Sequence, residues 1–212
     1  RPRKNNNRDA SNIAWSISEL SRVAILLDKH GMDGSEFAEA AKTIVEVILK
    51  GIREDGAIGS VWNGETGEVV TYNGDGAGFM MMGLARYHQL TGDERILPII
   101  EKAFRYYYEK DIDHFRCYGG AMDCSSIDKE GIQPYFTTAK YMYEQTQDKR
   151  YLDYARKAAW YFASWLYIHN PIYKESDDLT VFNWKPAGAN IVGIEHPAVD
   201  EYGALLLSEY IW

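Results

Sequence analysis

Seven carboxylates fall in stretches outside the regular helical spacing or at its first residues: Asp75, Asp123, Asp128, Glu130, Glu195, Asp200 and Glu201. Two carboxyls facing one another across a pocket can divide acid–base work. One stays protonated to assist a leaving oxygen, and the other stays ionised to act as base or nucleophile. Asp128 and Asp200, 72 residues apart, each stand where an inner helix is expected to begin, and Glu130 and Glu201 are alternative members of the two pairs. The competing role of an aspartate at a helix start is capping, in which its side chain accepts an orphan backbone N–H. Trp62, Tyr72, Tyr118 and Trp184 share these stretches. Their rings either stack on a ligand or pin the loops to the body. The expected catalytic residues are therefore Asp128, Asp200 and Glu130, with Trp62, Tyr72, Asp123, Trp184 and His196 lining the cleft.

Other chemistries lack their residues. The five histidines are scattered, and Cys117 and Cys124 are seven apart, which is not the spacing of a zinc knuckle. The glycine-rich run at residues 74–78 has neither the Lys-Ser/Thr of a phosphate loop nor a dinucleotide turn. No Gly-x-Ser-x-Gly is present. No metal or cofactor is expected. A formal net charge of −8 disfavours nucleic acid, which demands a basic face. No stretch approaches the roughly 20 uncharged apolar residues of a membrane helix, so no membrane partner is expected. Two cysteines exclude a disulfide framework. Aromatic residues make up 14% of the chain, more ring surface than a core of this size requires.

The elements that must position the carboxylates come from a repeat. Asp33, Asp93 and Asp148 each sit in a short turn, 60 and 55 residues apart. After each comes a helical stripe: Phe37, Ala41, Ile44 and Ile48; then Ile96, Ile100, Ala103 and Tyr107; then Leu152, Ala155, Ala159, Phe162 and Leu166. Before each lies another helix, near residues 13–27, 79–90 and 134–145, and a seventh is expected from residue 198 to 212. The third, Phe79-Met-Met-Met-Gly-Leu-Ala, is apolar on every side and must be buried on every side. Short turns alternate with long loops at about residues 55–77, 111–131 and 169–197. All three long loops therefore emerge on one face. In the first, residues 58–62 and 68–72 flank Asn63-Gly-Glu-Thr-Gly67 as a hairpin, the largest sheet expected.

Hairpins with a Thr-Gly-Asp-Glu-Arg or Thr-Gln-Asp-Lys-Arg-Tyr-Leu turn, each followed by an Ala- and Tyr-rich outer helix, resemble the six-hairpin glycosidase superfamily and its (α/α)6 toroid relatives. Residues 126–165 and the block Glu195-His-Pro-Ala-Val-Asp-Glu-Tyr-Gly203 carry the resemblance most closely. It implies an all-α fold of antiparallel helical hairpins forming part of a toroid. Residues 1–9 are read as a disordered or leftover tail, and residues 10–212 as the helical domain. Both ends look cut, so a segment of a larger catalytic domain is expected. The missing remainder of the polypeptide, or a second copy, is expected to cover exposed apolar helices. The implied activity is glycoside hydrolysis by a carboxylate pair on a plant or microbial polysaccharide fragment. The alternatives are a sugar epimerase, for which His196 would serve as base, and a non-catalytic carbohydrate-binding or scaffold module. Residues 1–8 lack the apolar core of a signal peptide. The compartment expected from this class of substrate is periplasmic or extracellular.

Overall fold

The computed structural model describes residues 6–73, 76–118, 127–193 and, for the backbone, 199–200. Six helices form three antiparallel hairpins: α1 (Ala10–Lys29) with α2 (Ser35–Leu49), α3 (Gly78–Thr91) with α4 (Ile96–Lys110), and α5 (Gln133–Thr146) with α6 (Arg150–Ala163). The first helix of each pair is inner. α1 packs on α3 and α3 on α5, while α2, α4 and α6 lie outside. The long loops consequently gather at the N-termini of the inner helices.

Small residues bring the inner helices close. A Cβ added at Gly83 would sit 2.9 Å from the Ala14 carbonyl oxygen, so α1 and α3 meet backbone to backbone. α3 is buried without interruption from Gly78 to Ala85, as its all-round apolar sequence requires. The outer helices bury one stripe each: Ala41, Val45 and Ile48 on α2, and Ile96, Ile100, Ala103, Phe104 and Tyr107 on α4. On α6 the stripe is Tyr151, Ala155, Ala158, Tyr161 and Phe162, rotated from the expected Leu152–Ala159 line because two tyrosine rings take the core positions.

The turn aspartates do not occupy the capping positions, which are Gly34, Arg95 and Lys149, but close the turns just before them. Asp33, Asp93 and Asp148 each accept the backbone N–H two residues on, at 2.9, 3.1 and 2.9 Å. The second and third turns carry an additional clamp. Arg95 holds Asp93 and reaches Glu46 of α2 at 2.5 Å, and Arg150 holds Asp148 and reaches Glu101 of α4 at 3.5 Å. Both clamps bridge 49 residues, a repeat in structure as well as in sequence. The arginine side chains hold the Asp93 and Asp148 carboxyls below the usual range.

Three expectations are corrected. Asn7–Asp9, which composition assigns to the tail, form strand β1, pairing with β2 (Val61–Asn63), which pairs in turn with β3 (Val69–Thr71). The hairpin thus has a third strand, and Asp9 caps α1 by accepting the Asn12 N–H. The helix expected from residue 198 does not begin there. Val199–Asp200 form strand β5 against β4 (Asn190–Ile191), because the third long loop offers a strand edge, and residues 201–212 lie outside the described residues. The third loop also holds the short helix α7 (Asp178–Val181). Exposed apolar surface is present on α1 at Leu26, but most of it is on this third loop, at Ile168, Ile172, Val181 and Phe182. No described helix is long and apolar enough to cross a membrane.

Candidate active site

One segment, residues 188–193, which contains β4, ties together the elements that carry the candidate carboxylates. On one edge it meets the exit of α6. Tyr167 donates its N–H to the Ala189 carbonyl at 2.9 Å, and Ile191 donates to Trp165 at 3.1 Å. Toward the entry of α5, Asp128 pairs with Gly193, and Lys129 donates its N–H to the Val192 carbonyl at 3.2 Å. β5 places Asp200 opposite Asn190. Asp128 and Asp200 are thus registered against Gly193 and Asn190, three residues apart on one segment. Residues 72 apart in sequence meet through a third segment.

The entry to α5 is built tightly. Asp128 is buried, and one of its carboxylate oxygens accepts the Glu130 N–H at 2.6 Å, starting the 3-10 turn Glu130–Ile132 that leads into α5. Its backbone N–H donates to the Cys117 carbonyl at 2.9 Å. The Tyr161 hydroxyl closes the joint from α6, accepting the Cys117 N–H at 3.1 Å and donating to the Asp128 carbonyl at 3.1 Å. Burial, with a smaller contribution from Cys117, pushes the ionisation of this hydroxyl well above the ordinary tyrosine range, so it remains a donor. A Cβ at Gly131 would stand 2.2 Å from the Tyr118 carbonyl oxygen, so only glycine lets the two segments approach. Tyr161→Phe should cost about 1–3 kcal/mol, since it leaves the Cys117 N–H without its hydroxyl acceptor and removes the donor to Asp128. Urea unfolding measures this, and a loss below about 0.5 kcal/mol would show that the hydroxyl does not hold the joint.

The candidate residues separate accordingly. Asp128 is a buried cap, whereas the Glu130 side chain next to it is 25% exposed. Asp200 is brought to the same strand by its backbone, on β5 and not at a helix start. Trp62 is corrected from ligand platform to packing residue. It is 2% exposed, donates its indole N–H to the Gly59 carbonyl at 2.9 Å, and fills a slot left by Gly51, where a Cβ would touch the ring. Tyr72 is half-buried beneath the Arg53 guanidinium, 5.4 Å from its ring centre. Trp184 is 43% exposed on the third loop. Asp123 and His196 lie outside the described residues.

Sequence reasoning missed Lys129 and the hydrogen-bonding role of Tyr161. Lys129 is 1% exposed, and its ammonium lies 3.8 Å from the Glu130 carboxylate. The only available signal was its place in the run Asp128-Lys-Glu130, where a lysine ordinarily reads as surface. Among the described residues no group of three or more His, Cys, Asp or Glu side chains is placed to hold a metal ion.

Comparison with known proteins fits this geometry. A family model described as beta-L-arabinofuranosidase, GH127 catalytic domain, matches residues 21–202. No curated protein matches. Among solved structures, a sugar epimerase from a ruminal bacterium is 13% identical with a TM-score of 0.65, over 90% of this chain and 48% of that one. Cellobiose 2-epimerase from Spirochaeta thermophila is 13% identical with a TM-score of 0.61, over 88% of this chain and 50% of that one. A family 76 glycoside hydrolase (mannosidase) from Bacteroides thetaiotaomicron is 15% identical with a TM-score of 0.53, over 91% of this chain and 50% of that one. The likeness is one of fold, the hairpins being those of an (α/α)6 toroid, and the chain spans about half the length of these structures.

Proposed function

The chain belongs to the GH127 beta-L-arabinofuranosidase catalytic-domain family, and from that premise we propose that it works as part of a glycoside hydrolase releasing a furanose sugar such as L-arabinofuranose. The bond is cut at the long-loop end of the inner helices. Glu130 and Asp200 form the acid/base pair, and Asp128 orients Glu130 by holding its backbone N–H. The observation that carries this reading is the short segment at residues 190–193, which bridges Asp128 at Gly193, accepts the Lys129 N–H at Val192 and pairs with Asp200 at Asn190. One carboxyl protonates the leaving oxygen as the bond breaks, and the other, ionised, activates water or attacks the sugar carbon. Trp184, exposed on the loop that supplies this strand, offers a ring to the apolar face of the sugar or its aglycone.

The test is turnover of an aryl β-L-arabinofuranoside by the intact protein, with product identified by chromatography. Release of arabinose together with the phenol is the expected result. Isomerisation of a free sugar with no bond cleavage would replace the hydrolase reading by the epimerase one. Sugar binding without turnover of any glycoside would leave a carbohydrate-binding module.

A further inference from the structure

We infer that the open face of α6 docks a further helical hairpin of the same polypeptide, and that this hairpin brings a carboxylate where the second and third hairpins bring an arginine. The inference concerns the scaffold and does not depend on which bond the protein cuts. It starts from a register set by the core. Ala41 and Val45, buried on α2, are followed at intervals of 55 residues by Ile96 and Ile100, buried on α4, and then by Tyr151 and Ala155, buried on α6. Equivalent surface positions on the three outer helices are therefore fixed by what each helix buries.

In that register Glu46 of α2 corresponds to Glu101 of α4, and these two carboxylates accept the arginine of the following hairpin, Arg95 and Arg150. The corresponding residue of α6 is Arg156, so the sign at the acceptor position is reversed. Another arginine arriving there would set two cations together, whereas a carboxylate would restore the pair. Arg156 donates to Asp153 of its own helix at 2.8 Å, but its side chain is 70% exposed and open to a second carboxylate. The same face differs in bulk. Phe104 and Tyr108 of α4 receive the Tyr154 ring of the next outer helix at 5.2 and 4.3 Å, and their counterparts on α6 are Ala159 and Ala163. The fold leaves a further hairpin to be accommodated, since the chain spans about half the length of the toroids it resembles and α6 is the outer helix of the last described hairpin. An ion pair this exposed adds little stability. Its effect is on order: the reversed sign disfavours a repeat of the second or third hairpin at α6.

The experiment is zero-length cross-linking of the intact protein with a water-soluble carbodiimide, which joins an amine to a carboxylate in contact with it, followed by peptide mass spectrometry. Arg156→Lys supplies the amine at a position exposed enough to accept the change. Arg150→Lys is the positive control and should join to Glu101. The expected product in Arg156→Lys links residue 156 to an Asp or Glu in the turn of the hairpin that follows the third, and the unsubstituted protein should lack it. Linkage to Asp153 alone overturns the proposal. Linkage to a carboxylate of a second copy, which a mixture of 14N- and 15N-labelled protein distinguishes, overturns it as well.

Discussion

Glu130→Gln in the intact protein should lower turnover of a β-L-arabinofuranoside by about 10²–10⁴-fold, with sugar binding changed only a few-fold. Glutamine keeps the size of the side chain and loses its ability to ionise, so the fold and ground-state contacts remain while the proton-transfer or nucleophilic role disappears. Asp200→Asn should fall into the same range. Asp128→Asn provides the contrast. An amide oxygen can still accept the Glu130 N–H that the carboxylate accepts at 2.6 Å, so the turn is kept and turnover should stay within about tenfold. The comparison is decisive because the residues are two apart. A loss in Asp128→Asn as large as that in Glu130→Gln would move the reacting carboxyl from the exposed member to the buried one. Unchanged turnover in Glu130→Gln and Asp200→Asn would remove the assigned pair.

Phe104→Ala should cost about 3–5 kcal/mol, a large share of the stability of a domain this size. Phe104 is buried on α4 at the centre of a ring cluster that joins three helices. It meets Tyr135 of α5 edge-on at 6.0 Å, Tyr151 of α6 edge-on at 5.6 Å, and Tyr154 of α6 stacked at 5.2 Å. Truncation removes the burial of the ring and opens a cavity that three anchored tyrosines are poorly placed to fill. The midpoint of chemical denaturation reports the loss. Trp160→Ala on the exposed face of α6 serves as control and should change stability by no more than about 0.5 kcal/mol. Equal effects of the two substitutions would show that the cluster is not the joint between the second and third hairpins.

The hairpins were legible in the sequence because each is encoded locally. A turn aspartate, a left-handed position such as Gly92 or Gln147, and an apolar stripe all lie within a few turns of one another. α3 was legible because all-round apolarity has one outcome. Features decided by distant segments were not. Trp62 looks like a loop ring until Gly51 and Gly59 are seen to make room for it. Asp200 looks like a helix cap until β4 is brought beside it. Lys129 is charged and reads as surface, yet Val192 of the third long loop closes over its backbone. The sequence could therefore place Asp128 and Glu130 at the entry of α5, but could not show which of the two carboxyls is buried.

Among the described residues, the substantial helix contacts are all within a hairpin or between consecutive hairpins, and each arginine clamp spans the same 49 residues. As the chain leaves the ribosome, each hairpin can therefore dock on the one already made, without waiting for a remote partner. The joint at Asp128 is different, since it requires residues 192–193, which are synthesised after the whole third hairpin. The scaffold should form early and in sequence order, and the joint at Asp128 last. A nascent chain stalled before residue 188 would then hold its helices with that joint still unassembled.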